Sequence, residues 1–236
     1  MLTASSTSAE TVQFVSDGAT IRAYLARPTD RPEKLPAVIV LHEWWGLNEQ
    51  IMGVTRRFAQ EGFVALAVDL YSRQDYKVTK DANEASALMN ALSSQRALRD
   101  LNVAAKWLKQ LSFVDSPRVG MVGFSMGGIL ALTMATHNSD IKAVVVFYGK
   151  VPPIESLDSL LAPVQFHYAA KDGWVTKQEV DRLAQGLQQF NKAGEILTYP
   201  NADHSFFNRT RSEVYRKDDA EQAWQKTVQF LEQHLQ

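Results

Sequence analysis

Short apolar runs rich in β-branched residues alternate with longer stretches of helical period through most of this chain, and that alternation leaves few architectures open. Val38-Ile39-Val40-Leu41, residues 63–68, Val119-Gly120-Met121-Val122, residues 143–147 and Val164-Gln165-Phe166-His167-Tyr168 are each too short for a helix. Near-continuous apolar runs of this length mark strands buried on both faces of a parallel sheet. Between them, residues 51–60, 95–111, 178–190 and 220–235 place apolar side chains at helical spacing, as with Leu98, Leu101, Ala105 and Leu108, which is the pattern of an amphipathic helix. The expected class is α/β, with a mostly parallel, doubly wound sheet. Residues 11–15 and 20–26 flank Asp17-Gly18, which predicts an antiparallel hairpin at one sheet edge. Nothing repeats and no linker interrupts the pattern. One domain is therefore expected over residues 10–236, after a flexible tail of residues 1–9.

Composition narrows function by exclusion. A net charge of -1 over 236 residues offers no basic surface for nucleic acid or an anionic membrane. No stretch approaches the roughly 20 apolar residues that cross a bilayer, and the N-terminus lacks a basic start followed by an apolar run. There is no cysteine, so disulfides, thiolate catalysis and cysteine-bound metals are ruled out. The composition suits a reducing cytosol, and a cytoplasmic protein is expected.

The chemistry is written around Ser125. The apolar run ending at Val122 leads into Gly123-Phe124-Ser125-Met126-Gly127-Gly128, and the following residues read as a helix. This is strand, G-x-S-x-G, helix: the arrangement of a nucleophile elbow. A serine on so tight a turn needs small neighbours two residues to either side. The turn presents Oγ at the carboxyl end of the sheet and aims the Met126 N–H and the helix N-terminus at a developing oxyanion.

Serine needs a positioned base at neutral pH. Of the five histidines, His234 lies near the chain end and reads as solvated. His137 closes the helix after Ser125, His167 lies inside an apolar strand, and His42 precedes the nucleophile. His204 follows a late strand, in a loop before the last helix, where this fold needs its base. In the chain order serine, acid, histidine, Asp172 is the candidate acid, because it follows the strand ending near Ala169-Ala170 at the correct end of the sheet. Asp140 precedes a strand, Asp158 and Asp181 read as helix-surface residues, and Asp203 adjoins the base. Asp172 would fix the histidine tautomer and stabilise the imidazolium.

Taken together, these segments resemble the dienelactone hydrolase family of the α/β-hydrolase fold. The likeness runs from about Val12 to the last helix and includes His42-Glu43-Trp44-Trp45-Gly46, Asp69-Leu70-Tyr71-Ser72-Arg73-Gln74, the elbow, Asp172 and His204-Ser205-Phe206. The resemblance implies that Glu43 lies beside the nucleophile and that the Trp44 N–H joins that of Met126 as the second oxyanion donor. Founding members of that family look to have cysteine as the nucleophile, activated with help from the glutamate; with Ser125, base catalysis by His204 is the simpler scheme. They also hold a substrate carboxylate with arginines, one of them from the helix after the Asp-Leu-Tyr motif. Here that helix contributes Lys80, Asn83 and Glu84, and Arg209 is one residue out of register with the later arginine. Glu43, Trp45, Tyr71, Arg73, Phe124 and Arg209 are the candidates for substrate contact or for support behind it, with Arg73 a possible salt-bridge partner of Glu43.

The reading is a serine hydrolase that cleaves small carboxylic esters or lactones through an acyl-enzyme, with no cofactor and no metal. The short connection between Tyr148 and Pro163 leaves no room for a large lid domain, which favours small soluble substrates. A monomer or small homo-oligomer is expected. An acyltransferase or peptidase on the same triad, or a ligand-binding protein that kept the fold, remains open.

Overall fold

The computed structural model describes residues 6–235. The strand order is β1-β2-β4-β3-β5-β6-β7-β8 in one eight-stranded sheet, and the chain falls into two compact units, Met1–Gly120 and Met121–Gln236.

In the first unit β1 (Thr7–Ser16) and β2 (Ala19–Pro28) form the predicted hairpin. They pair antiparallel from Ser16↔Ala19 outward. Asp17 and Gly18 both have positive φ, at 47° and 73°, as a two-residue turn matched to strand twist demands. β1 begins at Thr7 and pairs Thr7 with Pro28, so residues 7–9 belong to a strand and not to the tail; residues 1–5 of that tail lie outside the described residues. Its polar Thr-Ser-Ala-Glu start is exposed, which is why it reads as a tail. β2 then runs antiparallel to β4 (Val64–Val68), and β4 is parallel to β3 (Leu35–Leu41). Helices α1 (Glu49–Gln60), α2 (Ala82–Ala91) and α3 (Ser94–Lys109) complete the unit. The Asn48 side chain caps α1 by accepting the Ile51 N–H at 3.2 Å, satisfying a donor the helix itself leaves open. Lys80 lies ahead of the α2 cap, Asp81, and is not part of that helix.

β5 (Val114–Phe124) starts five residues before the apolar run that marks it; its first half, with Asp115, Pro117 and Arg118, is too polar to read as strand. In the second unit α4 (Met126–His137) is buried on nearly every side. β6 (Ile141–Phe147), β7 (Val164–Ala169) and β8 (Gly194–Tyr199) pair in parallel, and α5 (Lys177–Gln189) and α6 (Lys217–His234) follow β7 and β8. The connection from β6 to β7 holds a single 3-10 turn, Ile154–Ser159, and no lid domain. No described helix is long and apolar enough to cross a membrane. His234 packs edge-on against Phe230, at 4.6 Å between ring centres, and is half-buried where solvation was expected.

His167 is a core residue, as its apolar strand predicts. Its Nδ1 lies 2.8 Å from the Tyr199 hydroxyl and its Nε2 within 2.9 Å of Gln165 Oε1 and 3.1 Å of Thr227 Oγ1. Burial alone drives the imidazole from its ordinary 6.5 to about 3. Between those values the unfolded chain binds a proton that the folded chain refuses. Stability from this site is therefore complete above about pH 6.5 and is lost as pH falls toward 3. Urea unfolding between pH 7 and 4.5 should show wild type losing stability more steeply than His167→Gln, by about 1.4 kcal/mol per pH unit for the one proton.

Candidate active site

Ser125 ends β5 and opens α4 in a conformation that L-residues rarely adopt, φ 52° and ψ -114°. Such backbone costs on the order of 1–3 kcal/mol and persists only where its surroundings over-determine it. Here the Ser125 N–H donates to the Phe147 carbonyl at 2.9 Å and its carbonyl accepts the Gly128 N–H at 2.8 Å. Two glycines flanking the serine, Gly123 and Gly128, are required by contact. A Cβ on Gly123 would stand 2.2 Å from the Gly127 oxygen, and one on Gly128 would stand 3.0 Å from Gly149 Cα.

Asp172 and His204 come from the loops after β7 and β8, and backbone bonds join these loops. The Ala170 N–H donates to Tyr199 O at 3.0 Å and the Lys171 N–H to Ala202 O at 2.9 Å. The result is a continuous chain of hydrogen bonds. Ser125 Oγ lies 2.9 Å from His204 Nε2, and His204 Nδ1 lies 2.6 Å from Asp172 Oδ2. The Asp172 carboxylate is fully occupied, since Oδ1 accepts the N–H groups of Trp174 at 2.7 Å and Val175 at 3.0 Å. With a carboxylate on Nδ1, the imidazole keeps its proton there and offers Nε2 as the acceptor for the serine hydroxyl. The Asp172 side chain has no exposure, whereas the His204 side chain is 28% exposed, so the imidazole faces outward while the carboxylate that holds it is buried.

Two residues to which the sequence reading gave no role in the site wall the imidazole. Tyr148 and Trp174 each stand edge-on to His204 with ring centres 5.1 Å away. Tyr148 holds a positive φ of 40° at the end of β6, and the Tyr-Gly pair closing an apolar strand was the available signal. Lys150 sits 5.2 Å over the Trp174 ring and 3.4 Å from Glu179.

The other candidates sort by burial. Phe124 is buried and stacks on Phe147 at 4.6 Å between ring centres, so it supports the elbow from the core and does not face a substrate. In the first unit Tyr71 is fully buried and donates its hydroxyl to the Trp44 carbonyl at 2.9 Å. Burial, with the Asp69 carboxylate second, pushes the Tyr71 hydroxyl well up, and it stays a donor. Glu43 and Trp45 are buried, and Trp45 packs on the half-buried Trp44 with ring centres 4.9 Å apart. Arg73 does not pair with Glu43. Its Nε and Nη2 bind the two oxygens of Asp100 at 2.9 and 2.8 Å, and Nη2 also reaches Ser16 O at 2.8 Å. It ties the Asp-Leu-Tyr loop to α3 and β1 and is spent on the fold. Arg209 is exposed and forms no ion pair among the described residues. Nor do any three carboxylate or imidazole groups among those residues lie close enough to share a metal ion.

Residues 21–235 match the model of the dienelactone hydrolase family. A Bradyrhizobium protein, provisionally described as a 2-oxo-3-(5-oxofuran-2-ylidene)propanoate lactonase, is 32% identical over 235 residues, which cover 95% of this chain and 94% of the relative. An Escherichia coli K12 protein, provisionally described as a carboxymethylenebutenolidase, is 32% identical over 236 residues, covering 93% of this chain and 84% of the relative. The crystal structure of a Klebsiella pneumoniae protein, provisionally described as a dienelactone hydrolase, superposes with a TM-score of 0.89 at 32% identity, covering 97% of this chain and 99% of the other. The family match runs from β2 through the last helix and takes in the Glu43 loop, the elbow, Asp172 and His204. This chain is a carboxylic ester hydrolase belonging to the dienelactone hydrolase family.

Proposed function

We propose that the protein cleaves small carboxylic esters or lactones by two-step acyl transfer, with Ser125 as nucleophile, His204 as general base and acid, and Asp172 as the anchor of the imidazole. The observation that carries this reading is the unbroken chain from Ser125 Oγ through His204 to Asp172, at 2.9 and 2.6 Å. In the first step Oγ attacks the carbonyl carbon as its proton passes to His204 Nε2. The carbonyl electron pair collects on oxygen, and collapse expels the alkoxide, which takes the proton from His204. In a lactone the leaving alkoxide stays tethered to the acyl group. Water, deprotonated by His204, then attacks the acyl carbon; the bond to Oγ breaks, Oγ takes the proton back from His204 Nε2, and the acid is released.

The oxyanion donors in this reading are the Met126 N–H, the first of α4, and the Trp44 N–H that the family resemblance assigns. One such donor is worth roughly 3–4 kcal/mol. A lactone as natural substrate is supported by the activity ascribed to the Bradyrhizobium relative.

The test is covalent trapping. Purified protein is treated with diethyl 4-nitrophenyl phosphate, and release of 4-nitrophenol is compared with the phosphorylated peptide found by mass spectrometry. One equivalent released, with the group on Ser125 and hydrolysis of 4-nitrophenyl acetate lost in parallel, is the expected result. Full ester hydrolysis after labelling, or a label on another side chain, would overturn the assignment. Supplying an alcohol acceptor separates hydrolase from acyltransferase, since the latter gives mostly the new ester.

A further inference from the structure

We infer that His42 is a positioning residue for this site: its Nδ1–H holds the Glu43 carbonyl and so fixes the direction of the Trp44 N–H. The inference rests on the proposed role of that N–H as an oxyanion donor.

His42 follows β3 and is fully buried. Its Nε2 lies 3.0 Å from the Leu70 backbone nitrogen. A backbone N–H can only donate, so Nε2 is the bare nitrogen and the ring proton is on Nδ1. Nδ1 in turn lies 2.6 Å from the Glu43 carbonyl oxygen. The Gly46 N–H reaches the same oxygen at 3.3 Å. The peptide is planar and trans, so anchoring the Glu43 C=O points the Trp44 N–H the opposite way.

The next two carbonyls are anchored as well. Trp44 O accepts the Tyr71 hydroxyl at 2.9 Å and Trp45 O accepts the Thr79 N–H at 3.1 Å. Three successive peptide planes are thus fixed from the carbonyl side, while among the described residues the Trp44 N–H has no acceptor. A donor held rigidly and left unspent is what stabilisation of a transient oxyanion requires.

The support under His42 is itself anchored. Asp69 lies 3.8 Å from His42 Nε2, and its Oδ2 takes Arg22 Nε and Nη2 at 2.9 and 2.6 Å. Oδ1 accepts the Tyr71 N–H at 3.0 Å. Asp69 thereby fixes the segment that carries both the Leu70 N–H and the Tyr71 hydroxyl.

Two substitutions separate the two ends of the ring. His42→Asn places an amide near Nδ1 and can still donate to Glu43, whereas His42→Gln reaches the Nε2 position and serves Leu70. Rates on 4-nitrophenyl acetate are normalised to serine titrated with the organophosphate. His42→Gln should lower kcat about ten- to a hundred-fold, part of the loss seen when an oxyanion donor is removed, with KM nearly unchanged. His42→Asn should restore most of kcat. A wild-type kcat in His42→Gln, or an equal fall in both variants, overturns the role. Long-range proton–nitrogen NMR on the wild-type protein needs no variant to fold: the Nδ1–H tautomer is expected at neutral pH, and an Nε2–H tautomer or imidazolium overturns the geometry. Wild-type protein inert toward esters would instead overturn the ester-cleaving reading itself, and this role with it, while the NMR result still reports on the ring.

Discussion

Ser125→Ala is expected to lower kcat/KM on 4-nitrophenyl acetate by about four to six orders of magnitude, the scale of losing the nucleophile from such a triad. The substitution removes one oxygen and leaves the Cβ, the backbone bonds to Phe147 and Gly128, and the His204–Asp172 pair. The folded state should therefore survive, which circular dichroism and thermal unfolding can check on the same sample. Residual hydrolysis would come from water activated by His204 beside the proposed oxyanion donors, both of which the substitution leaves in place. Activity within ten-fold of wild type would show that another group attacks the carbonyl.

The second large effect is expected from Asp172→Asn, and its direction follows from which atoms surround the carboxylate. Oδ1 accepts two backbone N–H groups, from Trp174 and Val175. An asparagine must turn its carbonyl oxygen to these two donors, because its amide group would meet them hydrogen to hydrogen. The amide NH2 then faces His204 Nδ1, where it can only donate. His204 must give up the Nδ1 proton and carry it on Nε2, where it points at Ser125 instead of accepting from it. The shape of the site is retained and the direction of proton flow is reversed. A loss in kcat of about ten thousand-fold is expected, the size found for the corresponding change in a serine protease triad. Asp172→Ala would remove both the charge and the acceptor for the two N–H groups, and so would cost folding stability as well. If Asp172→Asn retains wild-type kcat, the carboxylate serves only the loop and not the base.

The hydrogen-bonded chain of Ser125, His204 and Asp172 was legible in the sequence because each member is tied to a local pattern. Ser125 stands between an apolar run and a helix with glycines at the positions that contact allows, and Asp172 and His204 were chosen by the end of the strand they follow. The partner of Arg73 was not legible. Asp100 lies on α3, 27 residues away, beside polar residues such as Arg99 and Asn102, and only its packing in the folded unit buries it. The walls of the imidazole were missed for a related reason. Tyr148 and Trp174 look like ordinary aromatic residues until the positive φ at Tyr148 and the Asp172 turn bring their edges to His204. The polar first half of β5 and the exposed start of β1 escaped notice because hydrophobic period detects burial, and backbone pairing without burial leaves no such trace.

The left-handed backbone at Ser125 also bears on how long such a protein keeps its chemistry. Strain at the proposed nucleophile is tolerated only while selection rewards turnover. Once that reward lapses, glycine at position 125 relaxes the turn and makes the fold sturdier in the same mutational step that silences it. Loss of catalysis is then a downhill path, whereas regaining it requires accepting the strain again. Duplicated copies of a chain like this one should drift toward inert, robust descendants that keep the fold and discard the reaction.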